Sequence, residues 1–163
     1  MPRELYPDDR GRLCQRPVAS VVKAYSQSVP HLADRPSSGQ IMDVPPNYMM
    51  HCRIKAAAPN TEAVVTLRSA ADDAHAGYRL KIRFGDRTVS LGDPYRSYDR
   101  VVDFDAGAPV DVRVFAADTV IECFLNDAYC FTMRAYDSSA GALKIDAPSG
   151  ELTIADFDVR TLP

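Results

Sequence analysis

Two tyrosines, two arginines and two aspartates crowd into the stretch Leu91-Gly-Asp-Pro-Tyr-Arg-Ser-Tyr-Asp-Arg100. Tyr95 and Tyr98 flank Arg96, with Asp93 and Asp99 close by. Aromatic rings stack on the apolar C–H faces of sugars, and a few placed polar or charged groups fix hydroxyls. Asp93, Tyr95, Arg96, Tyr98 and Asp99 are therefore the candidate carbohydrate-binding residues. The plainer alternative is a surface loop whose tyrosines cover a sheet edge. The chain has no tryptophan, which weighs against a lectin and toward that alternative.

Other groups are poorly placed for catalysis. Asp103 and Asp105 alternate in Val101-Val-Asp-Phe-Asp105, so a strand there puts both on one face. No glutamate follows, and a solvent-facing pair is the better account. Glu122 lies beside Cys123 in a strand-like run. A retaining glycosidase needs a second carboxylate about 5 Å away. A cross-strand polar position near Thr132 and Arg134 explains Glu122 more simply. The chain carries no Gly-x-Ser-x-Gly nucleophile turn and no glycine-rich phosphate loop. Asp8-Asp9 and Asp72-Asp73 offer too few convergent oxygens for a hard cation and read as solvated turns. Cys14, Cys52, Cys123 and Cys130 form no Cys-x-x-Cys pair, and His31, His51 and His75 lie apart from them. No metal and no cofactor is expected. His51 is expected near a strand end and His75 in a turn.

These residues need elements to hold them. From Tyr48 onward the chain reads as short strands. Tyr48 to Ala57, Glu62 to Arg68, Tyr78 to Phe84, Arg87 to Leu91, Arg100 to Asp105 and Val110 to Ala116 are the first candidates. A hairpin around Asn126-Asp127-Ala128, Ala142 to Asp146, and Glu151 to Thr161 complete the set. Ala71 to Gly77 is a polar turn. In the last strand Ile154 and Phe157 disagree in parity, which predicts a bulge near Ala155-Asp156. Such strands, with little helix, predict an all-β, two-sheet antiparallel sandwich.

The hairpin register follows from its faces. A loop of Asn126-Asp127-Ala128 sets Cys123 opposite Phe131 and Ile121 opposite Met133. Glu122, Phe124, Cys130, Thr132 and Arg134 then share the other face. A one-residue slip would mix the faces. This register places Cys123 and Cys130 on opposite sides and predicts free thiols.

The opening segment is different in kind. Leu5 to Leu13 is polar and turn-rich, and Pro17 suits a first helical position. Val18, Val21, Val22 and Tyr25 share one face of a short predicted helix. Residues 34–40 and Pro45-Pro46 are breaks. The expected division is a junction segment over 1–33 and the sandwich over 34–163.

Composition narrows the classes. The chain has 163 residues, a net charge of −3 and 46% hydrophobic residues, enough for a packed single domain. No basic stripe is present to meet nucleic acid. No run of ~18 apolar residues would span a membrane. The N-terminus has no apolar signal core, which predicts a cytoplasmic location if this is the full product.

The run Val110-Asp-Val-Arg-Val-Phe-Ala-Ala-Asp-Thr-Val-Ile-Glu-Cys-Phe-Leu-Asn-Asp127, continuing to Tyr136, resembles the C-terminal β-sandwich of family 32 glycoside hydrolases, the invertases, inulinases and levanases. Gly11-Arg-Leu-Cys-Gln-Arg-Pro-Val18 resembles the segment leading from their catalytic propeller into that sandwich. The resemblance implies a concanavalin-like jelly roll. It also implies a non-catalytic accessory role in a β-fructosidase acting on sucrose or fructans. The family's catalytic residues sit in the propeller, and the Trp-Met-Asn-Asp-Pro-Asn-Gly-like nucleophile motif is absent here. By itself the chain is expected to be inactive. The implied partner is a catalytic β-propeller, with an oligosaccharide as ligand. Left without the propeller, the apolar junction residues Pro17, Val18, Val21, Val22 and Tyr25 predict self-association. A free-standing carbohydrate-binding module is the alternative.

Overall fold

The computed structural model describes the chain except residues 33–35, 70–75, 94 and 137–140. The expected loop at 34–40 and the turn at 71–77 fall partly on those residues. Asp72, Asp73 and His75 lie outside the described residues altogether.

Two six-stranded antiparallel sheets form the sandwich. The opening hairpin is β1 (Arg3–Pro7) and β2 (Leu13–Pro17), followed by helix α1 (Ala19–Ala24). The first sheet contains β3 (Gln27–Ser28), β5 (Tyr48–Ala56), β10 (Val110–Ala117), β11 (Val120–Leu125), β12 (Tyr129–Arg134) and β14 (Leu152–Thr161). Its order is β12-β11-β10-β5-β14-β3. The second holds β4 (Ile41–Met42), β6 (Glu62–Ser69), β7 (Tyr78–Arg83), β8 (Thr88–Gly92), β9 (Ser97–Val101) and β13 (Ala142–Ser149). Its order is β4-β13-β6-β7-β8-β9.

The period of two produces the core. Tyr48, Met50, Cys52 and Ile54 of β5 point inward, as do Val112 and Val114 of β10. Val65, Leu67, Leu80, Ile82, Val89 and Leu91 meet them from the opposite sheet. Burying such a face drives the collapse, at about 25 cal/mol per Å2 of apolar surface.

The predicted hairpin register holds: Cys123 pairs with Phe131, Ile121 with Met133 and Glu122 with Thr132. Asn126 and Asp127 take positive φ of 53° and 50°, a conformation these two types tolerate. The Ala128 N–H closes the loop on the Leu125 carbonyl at 2.9 Å. The predicted bulge is present too. The β14 register on β5 shifts between Ala155 and Asp158, with Asp156 at φ 52°.

Other expectations need correction. The opening turn-rich stretch is a β-hairpin, with Leu5 opposite Gln15 and Pro7 opposite Leu13. Pro17 closes β2 rather than opening the helix, and Val18 caps α1 without a side-chain bond. The helix face is not bare. Tyr25 joins Met49, Phe115 and Phe124 in a second, smaller core on the outside of the first sheet, and Val21 and Val22 pack on it. Pro17 is buried as well. The segment from Arg100 to Asp105 is strand only through Val101. Beyond it, the Asp103 N–H donates to the Tyr129 hydroxyl at 2.8 Å instead of to a strand. Val102 and Phe104 still alternate inward, and Phe104 stacks edge-on to Phe84 at 5.8 Å. Burial mimicked a strand there without the ladder.

Candidate functional site

Asp93 organises the turn between β8 and β9. Its Oδ1 accepts from the N–H groups of Tyr95 and Arg96, both at 2.8 Å. Such a carboxylate-capped turn is a standard use of aspartate. Gly92 is required by close approach. A Cβ there would stand 2.2 Å from the Arg96 carbonyl oxygen and 2.6 Å from the Ser97 Cα.

The register then sorts the candidates. Ser90 pairs with Asp99, Leu91 with Tyr98 and Gly92 with Ser97. Ser97 and Asp99 therefore share the outer face of the second sheet with Arg79, Lys81 and Arg83 of β7. Tyr98 turns the other way, toward β12 at the edge of the first sheet. Because β9 and β12 are both edge strands, no further strand among the described residues covers the space between them.

Two hollows result. Asp93, Arg96 and Tyr98 line an edge groove of about 490 Å3 with Thr132, Met133, Arg134 and Tyr136. Tyr98 is 68% exposed and Tyr136 76%, so two rings stand free at this groove beside two guanidinium groups. Asp93, Tyr95 and Arg96 also line a smaller hollow of about 160 Å3 on the sheet face. Asp99 lines neither; its Oδ2 accepts from Arg83 Nη2 at 3.1 Å. Three of the five sequence candidates, Asp93, Arg96 and Tyr98, thus lie on one wall of the groove. The sequence reading missed Arg134 and Tyr136, although Thr132, Arg134 and Tyr136 recur at every second residue, the spacing of one strand face.

The remaining chemistry-bearing residues are held structurally. Glu122 is buried, and its Oε1 accepts from Arg3 Nη2 at 2.7 Å and from the Met1 amino group at 3.1 Å. Arg3 also donates to Thr132 Oγ1 at 2.6 Å. Arg3 was not foreseen as its partner, since contacts this distant in sequence carry no local signal. His51 lies within β5, not at its end. Its Nε2 is 2.7 Å from Asp111 Oδ2. Burial alone would raise the Asp111 carboxyl, but the His51 hydrogen bond and the charges of His51, Arg113 and Arg53 outweigh it and hold it below the usual carboxylate range. Asp8 accepts from the Arg10 and Arg12 N–H groups at 3.0 and 2.8 Å, tying a turn. Asp103 is exposed and pairs with Arg10 at 3.2 Å and with Arg12. The cysteines are free. Burial raises the thiols of Cys52, Cys123 and Cys130.

No protein-family model matches the chain, and no curated protein matches it in sequence. The fold has clear counterparts. Fructan 1-exohydrolase IIa from Cichorium intybus superposes with a TM-score of 0.75 at 15% identity, covering 99% of this chain and 40% of that one. Sucrose-6-phosphate hydrolase from Lactobacillus gasseri gives 0.71 at 17%, covering 99% and 33%. Carbohydrate binding module CBM66 from Bacillus subtilis gives 0.59 at 11%, covering 98% and 92%. The chain has the fold of the C-terminal β-sandwich of family 32 enzymes. It spans about a third of the Lactobacillus enzyme.

Proposed function

We propose that this chain is an accessory β-sandwich of a family 32-like glycoside hydrolase, stabilising a catalytic propeller and contributing to carbohydrate binding. One observation carries the reading: nearly the whole chain superposes on a minor part of two much larger enzymes, a fructan exohydrolase and a sucrose-6-phosphate hydrolase. The parent enzyme would act on fructosyl linkages of sucrose or fructans. Residues 1–33 serve as the junction. Its hairpin supports that role, because Leu5 and Leu13 are 63% and 68% exposed and share an outward face with Pro7. An apolar face of that kind suits a neighbouring domain. The propeller contact lies there rather than on the helix, whose valines already pack inward.

The alternative is a free-standing carbohydrate-binding module. It is favoured by the 92% coverage of the Bacillus module and by the two exposed rings of the edge groove. Affinity electrophoresis in inulin and levan gels tests sugar binding. Retardation that disappears in Tyr98→Ala/Tyr136→Ala supports a groove role; wild-type mobility equal to a non-binding control removes it. The isolated chain should not turn over sucrose, inulin or levan. Hydrolysis that persists in Glu122→Gln would overturn the accessory assignment.

A further inference from the structure

The smaller hollow has a charge pattern that neutral sugars do not call for. Its walls are Arg79 and Lys81 of β7, Ser90 and Gly92 of β8, and the turn residues Asp93, Tyr95, Arg96 and Ser97. Arg79, Lys81 and Arg83 project from one face of β7 at alternate positions, three like charges in a row. Arg83 pairs with Asp99 at 3.1 Å and with Asp86 at 3.5 Å. Asp93 gives one oxygen to two backbone N–H groups. Lys81 is half-buried and makes no ion pair or hydrogen bond among the described residues, and neither does the Arg96 guanidinium. Cations gathered in a protein of net charge −3 repel one another, and a bound anion relieves that repulsion. The Ser90 and Ser97 hydroxyls supply further donors, and the missing Cβ of Gly92 lets the strands close up at the floor.

We infer that this hollow binds the anionic substituent of a saccharide, a carboxylate, sulfate or phosphate, with Lys81 and Arg96 as its principal cations. Tyr95 supplies the saccharide half of the site. It is 91% exposed and stands at the rim, where its ring can meet a sugar face while the substituent enters between the cations. Guanidinium and ammonium groups suit such oxyanions because their hydrogen bonds are charge-assisted. The saccharide half rests on the carbohydrate-binding reading above; the anion half stands on the charges alone.

Isothermal titration separates the two. The probes are oligogalacturonate, a sulfated disaccharide, a hexose phosphate, inorganic sulfate and a neutral fructo-oligosaccharide. At low ionic strength at least one acidic sugar should bind with one-to-one stoichiometry, and Lys81→Ala/Arg96→Ala should weaken it by about tenfold or more. Lys23→Ala/Lys55→Ala lowers the net charge equally, away from the hollow, and should leave affinity within about twofold. Equal losses in both variants would reduce the effect to overall charge and overturn the site. So would the absence of binding by every anionic probe at millimolar concentration. Inorganic sulfate binding as tightly as the acidic sugars, indifferent to Tyr95→Ala, overturns the saccharide half. Neutral oligosaccharide binding in the edge groove with no anion binding overturns this inference while leaving the accessory reading intact.

Discussion

Asp111 and His51 sit on adjacent strands of the first sheet and share a short contact across them. Because the Asp111 carboxyl is depressed in the folded chain, its contribution to stability is whole above the ordinary carboxylate range. That contribution is lost as pH falls through the lowered folded value. The urea midpoint of the wild type should therefore fall more steeply on acidification than that of Asp111→Asn. Parallel pH profiles would refute the coupling. The thiols offer a second check. Cys14, Cys52 and Cys123 are buried and Cys130 is half-buried. The native chain should react slowly with a thiol reagent and the denatured chain at all of its cysteines. Non-reducing mass spectrometry should find no Cys123–Cys130 bond, since the two side chains leave opposite faces of the hairpin. Its presence would mean a shifted register. Gly92→Ala should disrupt the β8–β9 turn, because the neighbouring contacts are backbone that cannot step aside.

Among the elements, α1 differs most from its first appearance. Its valines and Tyr25 close a second core over Met49, Phe115 and Phe124, with Tyr25 and Phe115 edge-on at 5.4 Å. Tyr25→Ala should cost about 3 kcal/mol in chemical denaturation. Val21→Asp/Val22→Asp should also lower stability, by placing charges against that apolar layer. Unchanged midpoints in both would show the helix to be detachable. The strands themselves were legible because half-buried ladders write a period of two into Tyr78-Arg-Leu-Lys-Ile-Arg83 and Val110-Asp-Val-Arg-Val114. The hairpin register was legible because only one pairing keeps its faces pure. The opening hairpin was hidden by its composition: Pro7 and Pro17 sit at strand ends, where a missing N–H does no harm. The groove was only half visible. Its first wall is one continuous turn, whereas β12 reaches it through tertiary packing. The Glu122–Arg3 pair was invisible for the same reason.

For the molecule as a whole, the exposed apolar residues of the hairpin set the expected behaviour in solution. Sedimentation should show concentration-dependent association of the isolated chain, weakened by Leu5→Asp/Leu13→Asp with the sandwich still folded. A strict monomer at high micromolar concentration would count against a domain face there. The strand order carries a different consequence, in time rather than space. β6, β7, β8 and β9 pair with their neighbours along the chain, so this meander can form as soon as it leaves the ribosome. β5 has no such option. Its partners are β10 and β14, and β14 is made well after β10. Until β10 emerges β5 therefore waits with both backbone edges open, and until β14 emerges with one, a state that invites pairing with other chains. Its apolar face, Tyr48 to Ile54, is uncovered in the same interval, and the emergence of the ten-residue β14 is the event that closes its second edge.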